Sequence, residues 1–138
     1  MAKLLIVDDE PDIRENLSEC FELENFETIK AVNGLNALEI LETQSVDAVI
    51  IDLFMPEKNG LETIAELRRR WPKLKIIAMS GGGPARLTGS NLENDLLHVA
   101  IDYGADMSLQ KPFSLLEAVS AIKRLLASPK IGRASCRE

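Results

Sequence analysis

Cysteine is scarce in this chain and histidine scarcer: Cys20, Cys136 and His98 are all there is among 138 residues. Two cysteines so placed make neither a disulfide framework nor a thiolate metal site. Cys20 falls on the apolar stripe of a predicted helix, where it reads as a small buried hydrophobe. His98 has no cysteine or second histidine near it and reads as a surface or half-buried side chain. Positive charge is also in deficit, since 16 Lys and Arg against 22 Asp and Glu leave a formal net charge of −6. That balance argues against broad affinity of this domain for nucleic acid or an anionic membrane. No apolar run approaches the roughly 20 residues of a membrane span. Leu4 to Val7 meets Asp8-Asp9-Glu10 too soon for a secretory signal, so the expected location is the cytoplasm.

What is present is an ordinary globular composition, 46% apolar and 28% charged. A chain of this length fits one domain that buries roughly two-thirds of its unfolded surface. Apolar runs alternate with amphipathic stretches. Leu4 to Val7 predicts a buried strand, and Pro11 suits the first turn of the helix that follows, with Asp9 or Glu10 as its cap. Ile13, Leu17, Cys20 and Phe21 recur at helical spacing on its inner face. Glu27 to Val32 reads as a second strand punctuated by Asn33-Gly34, and Leu35 to Leu41 as a short helix. Val46 to Leu53 is the clearest strand. Asn59 or Gly60 opens a helix in which Leu61, Ile64, Leu67 or Arg68, and Trp71 follow a helical period, with Pro72 ending it.

Lys75 to Met79 is a fourth predicted strand, stopped by Ser80-Gly81-Gly82-Gly83-Pro84. Leu92, Leu96, Ala100 and Tyr103 repeat at helical spacing; Leu92, Leu96 and Tyr103 read as core, with a partner surface as the alternative. Met107 to Leu109 is a brief fifth strand. Ser114 and Glu117 form a capping box opening a last helix whose core face is Leu115, Val119, Ile122 and Leu126. Arg68-Arg69-Arg70 reads as a solvated helix face. Five rounds of strand then helix imply an α/β fold: a single five-stranded parallel sheet with helices on both faces.

In such folds the working site lies beyond the carboxyl ends of the strands. Asp8-Asp9, Asp52, Ser80 and Lys111 stand at those ends, so three carboxylates, a hydroxyl and an amine converge in one crevice. Either aspartate group alone reads as a helix cap or a polar strand terminus. Together they crowd negative charge that a cation must offset, and oxygen ligands without His or Cys select a hard ion, commonly Mg²⁺. Lys111 can meet a phosphate oxygen and Ser80 can hydrogen-bond the same group.

Asp8-Asp9, then Asp52-Leu53-Phe54-Met55-Pro56 with Gly60, then Ser80, then Lys111-Pro112-Phe113 resemble, in order and spacing, the response-regulator receiver domain of two-component signalling. The resemblance covers Lys3 to about Ala127. It implies a flavodoxin-like fold and a phosphoacceptor, Asp52, loaded from the phosphohistidine of a sensor histidine kinase or phosphotransfer protein. It implies Mg²⁺ held by Asp8, Asp9, Asp52 and the backbone carbonyl of Phe54. Lys111 would pair with the phosphoryl group, the Lys111-Pro112 bond would be cis, and Ser80 would move toward the phosphoryl oxygen. The shifted surface would be read by a downstream effector or output domain, so the chain is expected to be a regulatory phosphoacceptor rather than an enzyme acting on a substrate.

Two departures stand out. Receivers usually carry an aromatic residue three positions before the lysine, and here that position is Ser108. The stretch from Ser80 to Lys111 is several residues longer than usual, the excess falling in Gly81 to Asn94, which reads as a mobile loop. Both favour an alternative in which a receiver-like module docks partners without phosphorylation. An aspartyl phosphatase fits poorly, since Phe54 stands where a second Asp is usual. Flavin binding fits poorly because Asp8-Asp9-Glu10 would repel a phosphate at that helix start. Residues 1–128 are expected to form the domain and 129–138 an unstructured tail, which resembles a translated sequencing adaptor from Ile131 onward.

Overall fold

The computed structural model describes residues 2–53, 60–80, 99–110 and 114–127, with only the backbone of Ser80. In chain order these give β1 (Lys3–Val7), α1 (Pro11–Leu23), β2 (Glu27–Ala31), α2 (Gly34–Thr43), β3 (Ala48–Asp52), α3 (Gly60–Arg70), β4 (Lys75–Ser80), β5 (Met107–Gln110) and α4 (Leu115–Ala127). Residues 99–103 are also helical. The strands form one sheet in the order β2-β1-β3-β4-β5, every neighbouring pair parallel. No helix among the described residues is long and apolar enough to cross a membrane.

The continuous apolar runs have their cause in this layering. Side chains alternate along a strand, so a sheet covered on both faces needs apolar residues at every position. Leu4, Ile6, Ala48, Ile50, Ile77 and Met79 pack with Leu17 and Phe21 of α1 and with Ala118, Val119, Ala121 and Ile122 of α4. Leu5, Val7, Val49, Ile51, Ile76 and Ala78 face the other way, onto Leu38 and Leu41 of α2, Ile64 and Leu67 of α3, and Ala100. All five residues of β3 are buried, as a central strand requires.

Local signals set the helix ends. Pro11 occupies the first turn of α1, but Glu10 at the cap position makes no side-chain capping bond. Instead Asp8 Oδ1 accepts from the N–H of Glu10 at 2.9 Å. At the other end Asn25 takes φ 72°, and the N–H of Phe26 reaches back to the carbonyl of Phe21 at 3.0 Å. That reversal brings the Phe21 and Phe26 rings edge to face, 5.8 Å apart. Asn33 does more than punctuate: its side chain accepts from the N–H of Asn36 and caps α2. The capping box is present, with Ser114 and Glu117 each accepting from the other's backbone N–H at 3.0 and 2.8 Å.

Three expectations are corrected. Leu115 is 40% exposed, because the buried face of α4 is Ala118, Val119, Ala121 and Ile122. Tyr103 is 46% exposed rather than core. The arginine run is not one solvated face: Arg68 turns inward, donating to the carbonyls of Pro72, Leu74 and Gly104 and pairing with Asp106 at 2.8 Å. Asp106 also accepts from the N–H of Ile76, so this one guanidinium clasps α3 to the starts of β4 and β5. Arg70 lies over the Trp71 ring, 4.6 Å from its centroid, and pairs with Glu42.

Candidate functional site

The sheet order places β1 beside β3, with Val7 level with Ile51. Asp8 and Asp52 therefore come one residue further along, side by side at the carboxyl ends of the two strands. Both continue the parity of Leu4, Ile6, Ala48 and Ile50, which gives them a common face of the sheet. Asp8 is fully buried and Asp52 is 4% exposed, while Asp9 beside them is exposed. One carboxylate oxygen from each of Asp8, Asp9 and Asp52 can be chosen so that all three lie within 4.8 Å of one another.

The β1–α1 turn is built around this cluster. The N–H of Asp8 extends the ladder to the carbonyl of Ala31 at 3.3 Å. The backbone carbonyl of Asp8 accepts from Arg14 Nη1 at 2.7 Å. On the β3 side the chain turns at Leu53, whose N–H bonds the carbonyl of Met79 and whose carbonyl accepts from the N–H of Gly60. Gly60 is required by this close approach. A Cβ there would stand 2.6 Å from both the Asp52 carbonyl oxygen and the Leu53 Cα.

The donor set is oxygen only, which suits a hard cation rather than zinc or copper. Oxygens on one octahedral Mg²⁺ lie about 2.1 Å from the ion and hence roughly 3–4 Å apart. The three carboxylate oxygens, all within 4.8 Å of one another, are close enough to gather round one ion. Two buried carboxylates whose oxygens come within 4.8 Å of each other also represent a charge concentration that a divalent ion would relieve. The three aspartates therefore fit such an ion.

Of the other residues singled out in the sequence, Ser80 ends β4, one step beyond Met79, which is level with Asp52. Its backbone thus stands at the same end of the sheet. Phe54, Lys111, the Lys111-Pro112 bond, the Gly81–Asn94 stretch, Leu92, Leu96, His98 and residues 129–138 lie outside the described residues. Ser108 is exposed on β5. Sequence reasoning missed Arg14. The signal available was a cation in the first turn of a helix, where the positive end of the macrodipole disfavours it unless something else holds it.

A doubly wound parallel sheet with carboxylates gathered past its two central strands defines the class. Comparison with known proteins narrows it. A family model described as the response regulator receiver domain matches residues 4–123. The chain belongs to that family, the receiver domain of two-component systems. It is 38% identical over 132 residues to the CpxR homolog of Haemophilus influenzae, a transcriptional regulatory protein, covering 94% of this chain and 53% of that one. It is 32% identical over 124 residues to sporulation initiation phosphotransferase F of Bacillus subtilis, covering 90% and 93%. Among solved structures, the response regulator TrrA of Thermotoga maritima, in complex with Mg²⁺-BeF, superposes with a TM-score of 0.72 at 34% identity, covering 91% of this chain and 99% of that one. The chain spans about half the length of the CpxR-type relatives it matches.

Proposed function

We propose that this chain is a phosphoryl-accepting switch in which Asp52 is loaded, with Mg²⁺ present, from the phosphohistidine of a sensor histidine kinase or phosphotransfer protein. The observation that carries this reading is the gathering of Asp8, Asp9 and Asp52 within 4.8 Å at the carboxyl ends of β1 and β3. The TrrA structure with Mg²⁺-BeF and the phosphotransferase name of the Bacillus relative support the same chemistry.

An oxygen of Asp52 attacks phosphorus, so that an O–P bond forms while the P–N bond breaks. The electron pair of that bond passes to the imidazole nitrogen of the donor. Asp8, Asp9, Asp52 and the backbone carbonyl of Phe54 are the assigned ligands. Bound there, Mg²⁺ supplies positive charge against the phosphoryl oxygens. Lys111 is assigned to pair with the phosphoryl group and Ser80 to hydrogen-bond it. Asp52 is consumed in each cycle and regenerated by hydrolysis, so the role is regulatory rather than that of an enzyme turning over a separate substrate.

Phosphorylation shifts a two-state equilibrium, and an effector or output domain reads the shifted surface. Residues 1–128 form the receiver domain in this reading, and 129–138 lie outside it. A second reading, constitutive docking without phosphorylation, draws on Ser108, which leaves β5 without the aromatic side chain usual in the family.

The test is the intact mass after incubation with acetyl phosphate, with and without Mg²⁺, for the parent and Asp52→Asn. The expected result is a Mg²⁺-dependent gain of one phosphoryl group, absent in the variant. A folded, Mg²⁺-binding parent that gains nothing overturns the switch and leaves the docking module.

A further inference from the structure

Two of the three carboxylates are fixed by the fold itself. Asp52 closes a central strand, and Asp8 is fully buried with its Oδ1 held by the N–H of Glu10. Asp9 is different. It is exposed, and among the described residues its side chain makes no hydrogen bond or ion pair. Its backbone follows directly on the peptide that joins it to Asp8. The carbonyl of that peptide is the one gripped by Arg14 Nη1 at 2.7 Å. The N–H of Arg14 also bonds the carbonyl of Glu10 at 3.1 Å, so residue 14 holds the turn from both its backbone and its side chain.

We infer that Arg14 is a positioning residue for the cation site: by gripping the Asp8 carbonyl it fixes the Asp8–Asp9 peptide and presents the Asp9 carboxylate to a divalent ion. This rests on the reading of Asp8, Asp9 and Asp52 as ion ligands. It also runs against simple electrostatics. A guanidinium near a cation site repels the cation, so if charge alone mattered, removing Arg14 would tighten binding. If positioning matters more, removal weakens it. The sign of the change separates the two.

The experiment is isothermal titration of Mg²⁺ into the parent, Arg14→Ala, Arg14→Met and Arg14→Lys, with Mn²⁺ binding followed by electron paramagnetic resonance as a second readout. Thermal unfolding without metal establishes that each variant is folded. Arg14→Met keeps much of the aliphatic stem, so lost packing does not imitate lost positioning. Removing the partner that orients a metal ligand typically lowers affinity about 10-fold or more. That loss is expected in the Ala and Met variants, with tighter binding restored in part by Arg14→Lys, which keeps a charge and a donor. Unchanged or tighter binding in the Ala and Met variants overturns the inference, as does a Lys variant no better than Ala. A parent that itself binds no Mg²⁺ overturns the metal-site reading and this inference with it.

Discussion

Replacing Gly60 by alanine sets two effects of opposite sign against each other. The methyl group would arrive 2.6 Å from the Asp52 carbonyl oxygen and from the Leu53 Cα, and 3.1 Å from Leu53 Cδ2. The first two are backbone atoms at the end of a central strand, so neither can swing aside. Reaching an ordinary contact of 3.4 Å means that α3 and the end of β3 separate by roughly 0.8 Å. Forcing extra volume into such packing costs about 1–3 kcal/mol. Against this, alanine restricts the unfolded chain and returns about 0.4–1 kcal/mol. The strain wins, and Gly60→Ala should lose about 1–2 kcal/mol of unfolding free energy. Urea denaturation measures it as a midpoint lowered by roughly 0.5–1 M at unchanged slope. Because the displaced atoms belong to Asp52 and Leu53, Mg²⁺ affinity should fall with stability. A Gly60→Ala protein as stable as the parent would refute the reasoning, since it would mean that the strand end yields without cost.

Three further outcomes follow from other contacts. Asp106→Ala should destabilise by about 3 kcal/mol in thermal or urea unfolding, because it removes the carboxylate that both the inward-turned Arg68 guanidinium and the Ile76 N–H use; a loss under about 0.5 kcal/mol would place Arg68 in solvent instead. Gly34→Ala drives a methyl group into the side chain of buried Thr63, so Thr63→Ala should recover much of the loss in a double-mutant cycle. Additive effects would show that the two sites do not touch. Ser114→Ala should cost about 1 kcal/mol in the same unfolding assay by removing the cap on the Glu117 N–H; Ser114→Asp, which keeps an acceptor, should cost much less.

Much of the fold was legible because a sheet covered on both faces writes itself as short apolar runs. Leu4 to Val7 and Ala48 to Ile51 could hardly be anything else, and the carboxylates that follow them come together in the structure. Strand and helix ends were less legible. The apolar pattern extends β2 to Val32, yet that residue is 48% exposed beyond the last paired one. Helical spacing also misjudged α4 by about one residue. Its stripe of small residues, Ala118 and Ala121, carries little hydrophobic weight in sequence but fits closely under the sheet, while the larger Leu115 stays outside. Arg68 was hidden for a different reason. A guanidinium looks solvated until the carbonyls that receive it are known, and those come from the chain 4, 6 and 36 positions away. The same holds for Arg14 and the Asp8 carbonyl.

The pairing of β1 with β3 also determines when the acidic cluster can exist during folding. Asp8 and Asp52 are 44 positions apart in the chain and adjacent only after β1 and β3 have paired. Closing a loop of that length costs about 3 kcal/mol of chain entropy, and no local segment recovers it. A fragment ending before residue 48 carries two of the carboxylates and cannot assemble the third. The repulsion among them is therefore felt late, after the sheet has enough buried surface to hold them together. A chain cut within α2 and re-formed from its two pieces should regain the cluster only in step with the whole sheet, so a cation taken up there would report on completed folding rather than on any one element.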